Sequence, residues 1–186
     1  MRRVVVSEFV SLDGVMEDPS WTFQFTDEAR DRFKFDELSA AGALLLGRVT
    51  YEGFAAAWPG MEEETGEYGA WMNGYPKHVA STTLEEPLEW NNSALINDDI
   101  PVGVAALKEQ PGKDILVFGS AALVNTLAQH DLVDEYRLMV FPVVVGRGKR
   151  LFGEGLDTKA MKLVDTTTFD SGTIVLTYRP AERGPE

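Results

Sequence analysis

Short apolar runs alternate along the chain with stretches in which apolar residues recur at helical spacing. Residues 4–9 (VVVSEF), 43–46 (ALLL), 77–81, 93–96 and 114–118 (DILVF) read as strands, several of them too continuously apolar for a half-exposed sheet. The spacing predicts a helix with Thr26 as N-cap and Asp27 and Glu28 in its first turn, reaching about Ala41 before Gly42. Tyr51, Phe54, Ala55 and Trp58 share one face of a second helix, which starts near Thr50 and stops at Pro59-Gly60. Tyr68, Trp71 and Met72 suit a short amphipathic helix, residues 101–108 a helix opened by Pro101, and Leu123, Val124 and Leu127 the apolar face of another. Residues 135–145 read as one long strand with Pro142 at an edge or bulge. Residues 162–169 and 173–178 flank Asp170-Ser171-Gly172 as a terminal hairpin. Alternating elements followed by antiparallel strands give an α/β fold with a mixed sheet. Residues 1–180 are expected to form one domain and 181–186 a flexible tail.

Composition narrows the function. A formal net charge of −13 argues against general binding of nucleic acid or anionic membrane. Without cysteine there are no disulfides, thiolate metal sites or cysteine nucleophiles. His78 and His130 lie far apart without metal-ligand spacing, so no metal is expected. The apolar run behind Arg2 and Arg3 is too brief for a signal peptide or a span, and a cytoplasmic protein is expected.

Two strand–turn–helix junctions stand out against that acidic background. In ALLLGRVTYEGF, Gly47 makes the turn, Arg48 brings a guanidinium fork to a helix N-terminus, and Thr50 adds a hydroxyl. In ILVFGSAALVNTL, Gly119 allows close approach to the backbone, and the N–H groups of Ser120 and Ala121 suit a diphosphate. Any βα turn favours Gly and Ser, and neither GxGxxG opening a helix nor GxxxxGK[ST] is present. Asp31 lies in line with Phe35, Leu38 and Gly42, which makes it either an active-site acid or the exposed end of an apolar stripe; Glu28 competes with it. Ser81 and Thr82 can bond a phosphate or simply make a loop. Trp21 and Phe23 can stack on a heteroaromatic ring or pack in the core, and Phe9 closes the first strand as a further substrate-side aromatic. Arg147, Lys149 and Arg150 form the dense basic cluster, read as solvated surface.

Together VVVSEFVSLDGV, LLLGRVTYEGF, DILVFGSAALVNTL and PVVVGRGKRLF resemble the dihydrofolate-reductase-like superfamily. The closer match is to its riboflavin-biosynthesis reductase branch, the C-terminal domain of the bifunctional deaminase-reductases, and small stand-alone relatives. The resemblance implies an eight-stranded, mostly parallel sheet with helices on both faces and NADPH across its carboxyl edge. It implies that Gly47, Arg48 and Thr50, with Ser81 and Thr82, hold the adenosine 2′-phosphate, and that Gly119, Ser120 and Ala121 cradle the diphosphate. SLDGV resembles the loop over the nicotinamide, which brings Asp13 and Gly14 near the reacting centre and makes Asp13 a second candidate catalytic group. The proton donor is Asp31 counting back from Gly47, and Asp27 or Glu28 counting forward from Trp21. The expected activity is an NADPH-dependent reductase, a homodimer, passing hydride to a pterin-, flavin- or ribosylaminopyrimidine-like heterocycle. The alternatives are a folate reductase proper and a non-catalytic nucleotide- or flavin-binding protein.

Overall fold

A computed structural model describes residues 1–181, so most of the tail expected at 181–186 lies outside the described residues. Eight strands form one sheet: β1 (Val4–Val10), β2 (Ala41–Gly47), β3 (Lys77–Ala80), β4 (Ser93–Ile96), β5 (Asp114–Val117), β6 (Glu135–Val140), β7 (Met161–Thr168) and β8 (Ile174–Pro180). Their order is β4-β3-β2-β5-β1-β6-β8-β7. The first six of that order run parallel, and β8 and β7 close the sheet antiparallel. The helices are α1 (Glu28–Ala40), α2 (Arg48–Ala57), α3 (Glu62–Thr65), α4 (Glu67–Gly74), α5 (Ile100–Glu109) and α6 (Ala121–Gln129).

Successive strand residues face opposite sides, and the two faces carry separate cores. Val4, Val6, Ala43, Leu45, Ile115 and Val117 pack under α5 and α6 through Val104, Leu107, Leu123, Val124 and Leu127. Val5, Leu44, Leu46 and Leu116 pack under α1, α2 and α4 through Leu38, Tyr51 and Met72. Covering both faces is what makes the central strands continuously apolar. A third cluster, around Met139, Phe141 and Val175, gathers Phe9, Trp21, Phe25 and Phe33 beside the antiparallel end.

Several element boundaries differ from expectation. β2 already begins at Ala41, so Gly42 lies inside the strand, and α2 begins at Arg48. Asp27, not Thr26, caps α1, because its carboxylate accepts from the N–H groups of Ala29 and Arg30. The strand expected over 135–145 ends at Val140. Beyond it the backbone is taken by other partners: Leu12 N–H donates to Val143 O, and the Asp13 carboxylate accepts from the N–H groups of Val145 and Gly146. β6 is also interior, flanked by β1 and β8, so it offers no free edge for pairing with a second copy. No helix among the described residues is long and apolar enough to cross a membrane.

Candidate functional site

The carboxyl ends of the parallel strands open into a cavity of about 920 Å³, the size of a ligand site. Ser7, Glu8 and Phe9 of β1, Gly47 of β2 and Phe118 beyond β5 form its floor, and Phe54, Trp58 and Tyr68 line one wall. Both junctions singled out in the sequence enter it, through Gly47–Thr50 and through Gly119–Ala121.

The two junctions are latched together. The Gly47 N–H donates to Ser120 Oγ at 2.8 Å, and Ser120 Oγ donates to Thr50 Oγ1 at 2.9 Å. Gly119, at φ +57°, presses its backbone against α2, and a Cβ there would lie 2.5 Å from Thr50 Oγ1. Only glycine fits so close an approach in that conformation. The helices these junctions start, α2 and α6, have no side-chain cap on their first N–H groups, whereas α1 and α5 are capped by Asp27 and Asp99. Two sets of unsatisfied donors, with the positive ends of two helix dipoles, therefore meet one cavity. Arg48 stands at the same wall, its Nη1 3.0 Å from Glu52 Oε2 in a half-exposed pair. Such a pair contributes about 0–1 kcal/mol, so an incoming anion can replace Glu52. Donors, dipoles and guanidinium fit the phosphates of a dinucleotide.

Two buried carboxyl groups, Glu8 in the floor and Glu37 outside the cavity lining beside Lys34, have pKa values displaced in opposite directions. Glu37 of α1 accepts from Ser7 Oγ at 2.9 Å, from Lys34 Nζ, and from Arg137 Nη1 at 3.2 Å. Burial alone would push its pKa up, but Lys34, Arg137 and Ser7 outweigh that and hold it below the ordinary carboxylate range. Glu8 accepts the Gly119 N–H on Oε2 at 3.1 Å, and its Oε1 has no hydrogen-bond partner among the described residues. Burial pushes the Glu8 pKa well above the usual range, against the pull of Lys34 and the Gly119 N–H. Lys34 Nζ also bonds Ser7 Oγ at 2.8 Å and lies 4.5 Å from the centre of the Phe118 ring.

The RibD C-terminal domain family matches this sequence over residues 2–175. The chain belongs to that family. This RibD C-terminal domain protein is 34% identical over 179 residues to the Bacillus subtilis (strain 168) protein YyaP, covering 95% of this chain and 94% of YyaP. Among solved structures, a Shewanella sp. PV-4 protein named for riboflavin biosynthesis superposes with a TM-score of 0.78 at 21% identity, over 97% of this chain and 99% of that one. The Thermotoga maritima diaminohydroxyphosphoribosylaminopyrimidine deaminase/5-amino-6-(5-phosphoribosylamino)uracil reductase superposes at 0.67 and 18% identity, over 97% of this chain and 57% of that one. The fold is dihydrofolate-reductase-like: a mixed, mostly parallel eight-stranded sheet with a C-terminal antiparallel hairpin and helices on both faces.

In this RibD C-terminal domain the sequence-selected residues separate into two groups. Phe9, Gly47, Arg48, Thr50, Gly119, Ser120 and Ala121 line the cavity together. Ser81 and Thr82 follow β3, whose Ala80 lies in register with Gly47, but the Ser81 hydroxyl is spent on the N–H groups of Thr83 and Leu84 and neither residue is in the cavity wall. Asp13 and Gly14 also stand outside the wall. Asp13 is pulled down to about 2 by Ser11 and by the N–H groups of Val145 and Gly146. Gly14 makes the turn at φ +80°. Asp31 is 67% exposed, paired with Arg30, and outside the wall, because the cavity side of α1 belongs to Lys34.

The two aromatics of that loop take different positions. Trp21 packs edge-on against Phe141 at 5.7 Å, while Phe23, 78% exposed, reaches the cavity. Sequence reasoning missed Glu8, Lys34 and Glu37, and it read Lys149, which stands in the wall, as solvated surface. An acid inside the apolar run VVVSEFV was the available signal for Glu8, since such a group is buried only at a cost. No group of three or more His, Asp or Glu among the described residues is arranged to hold a metal.

Proposed function

We propose that this protein is an NADPH-dependent reductase that transfers a hydride to a pterin-, flavin- or ribosylaminopyrimidine-like heterocycle. The observation that carries this reading is the meeting of two uncapped helix N-termini and Arg48 at one end of a cavity floored by β1. The N–H groups following Gly119 hold the diphosphate, and the Gly47–Thr50 turn with Arg48 holds the adenosine 2′-phosphate. When bound, the reduced nicotinamide supplies a hydride. The chain holds the cofactor's phosphates, while Phe9, Phe23 and the Phe54–Trp58 wall enclose a flat ring and keep water from it. The family membership and the fold support reduction as the general activity. A cytoplasmic homodimer belongs to the same reading, and sedimentation velocity tests the dimer.

Fluorescence titration tests the cofactor, with Trp58 in the cavity wall as reporter. NADPH should bind more tightly than NADH. Arg48→Ala should weaken NADPH by about 10- to 100-fold, the loss of a charge-assisted contact, and leave NADH within about threefold. Equal losses for both would remove the 2′-phosphate assignment, and no NADPH binding would remove the reductase reading. NADPH oxidation with dihydrofolate and with 5-amino-6-(5-phosphoribosylamino)uracil then separates the acceptor classes.

A further inference from the structure

The helix that flanks the cavity brings a lysine to its wall where an acid was expected, and the acid stands on the central strand instead. Glu8 is part of the cavity floor. One carboxyl oxygen is anchored on the Gly119 N–H, the donor next to the α6 N-terminus. The other is out of water and without a hydrogen-bond partner among the described residues. A buried carboxyl oxygen left unmatched costs about 1–3 kcal/mol, which a ligand group can recover by pairing with it. Glu37 cannot play this part: both of its oxygens are occupied by Lys34, Ser7 and Arg137.

We propose that Glu8 is the proton donor of this site, its carboxylic acid anchored through Oε2 on Gly119 and its free oxygen turned to a ring nitrogen of the bound heterocycle. The inference rests on the reductase reading and deepens it, by fixing the substrate as a ring with a C=N bond whose nitrogen has an open lone pair. As the ring carbon takes the hydride, the C=N π pair becomes the new N–H bond with the Glu8 proton, and the O–H pair stays on Glu8 as carboxylate. Lys34 and the Gly119 N–H stabilise that carboxylate, and water reprotonates it before the next turnover. Burial favours the un-ionised form of Glu8 by raising its pKa, against the pull of Lys34 and the Gly119 N–H. The charged groups that act on it are Lys34 and Glu37 from α1, and the other charged groups in the cavity wall are Glu17, Asp18, Arg48 and Lys149.

The test compares the full chain with Glu8→Gln, which keeps the shape and the acceptor for Gly119 but carries no acid. The infrared difference spectrum, wild type minus E8Q at neutral pH without cofactor, should contain the C=O stretch of an un-ionised carboxylic acid. A carboxylate signature there overturns the proposal. E8Q should bind NADPH as wild type does and lose about 100-fold or more of the single-turnover hydride-transfer rate. The wild-type rate should fall as pH rises through the Glu8 pKa, a dependence missing from E8Q, and Glu8→Asp should recover part of the rate. Hydride transfer by E8Q at the wild-type rate overturns the proposal while leaving the reductase reading intact. Failure of wild type to bind NADPH defeats that reading instead, and the infrared band still decides the state of Glu8.

Discussion

Substituting Gly119 by alanine tests the latch between the two junctions quantitatively. The residue sits at φ +57°, which costs a non-glycine side chain about 1–2 kcal/mol. The new Cβ would stand 2.5 Å from Thr50 Oγ1 and 3.0 Å from its Cγ2, so Thr50 must move. That movement breaks the 2.9 Å bond from Ser120 Oγ, about 1 kcal/mol, and crowds the start of α2. The sum is about 2–4 kcal/mol, which for a chain of 186 residues lowers Tm by roughly 5–15 °C. Gly14→Ala is the matched control, since φ there is +80° but nothing lies within 4 Å of the added Cβ. Only backbone strain applies at that position, about 1–2 kcal/mol. Thermal unfolding of G14A, G119A, T50A and G119A/T50A gives a double-mutant cycle, with an expected coupling of about 1 kcal/mol because T50A removes the obstructing oxygen. If G119A were no worse than G14A, or the double mutant were strictly additive, the close approach of the junctions would not be a stability determinant.

Other measurements follow from the charged floor. Lys34→Met leaves the Glu37 carboxylate, 1% exposed, with Arg137 and Ser7 alone, and should destabilise the fold by about 3 kcal/mol in urea titration; a loss under about 1 kcal/mol would refute the buried network. Stability should also respond to pH through Glu8. Its folded-state pKa lies above the unfolded value, so its contribution is complete below the ordinary glutamate range and is lost as pH rises through the folded value. The stability of wild type relative to E8Q should therefore decline as pH rises above the ordinary glutamate range, and a flat difference would mean that the Glu8 pKa is not raised by folding.

The parallel strands and both junctions were legible because they depend on local, repeated signals: continuous apolar runs, glycine at the turn, helical spacing afterwards. The charged groups contributed by β1 and α1 were not. Periodicity aligns Asp31 with Phe35 and Leu38, yet the cavity side of α1 carries Lys34, with Glu37 buried one turn further on, and a rule that follows apolar residues passes over both. Their burial is stabilised by Ser7 and Arg137, brought from β1 and β6, and sequence spacing contains no trace of those contacts. The long strand over 135–145 failed for a related reason. Its residues have strand propensity throughout, but β8 pairs only up to Val140, and the loop carrying Asp13 takes the N–H groups beyond. Trp21 and Phe23, which the sequence treats alike, part company because the first packs on the cluster around Phe141 and the second stays exposed.

The strand order also sets a timetable for the nascent chain. β1 leaves the ribosome first, yet its partners are β5 and β6, with Val4 opposite Ile115 and Val5 opposite Glu135. At about 5–20 residues per second, VVVSEFV waits roughly 5–20 seconds for its first neighbour. During that interval β2 and β3 can already associate, while β1, with its apolar Val4–Val6 run, stays unpaired and open to holdase chaperones. The strand that floors the cavity is thus the earliest made and among the last secured, which makes co-translational folding the stage at which substitutions in β1 should do most harm.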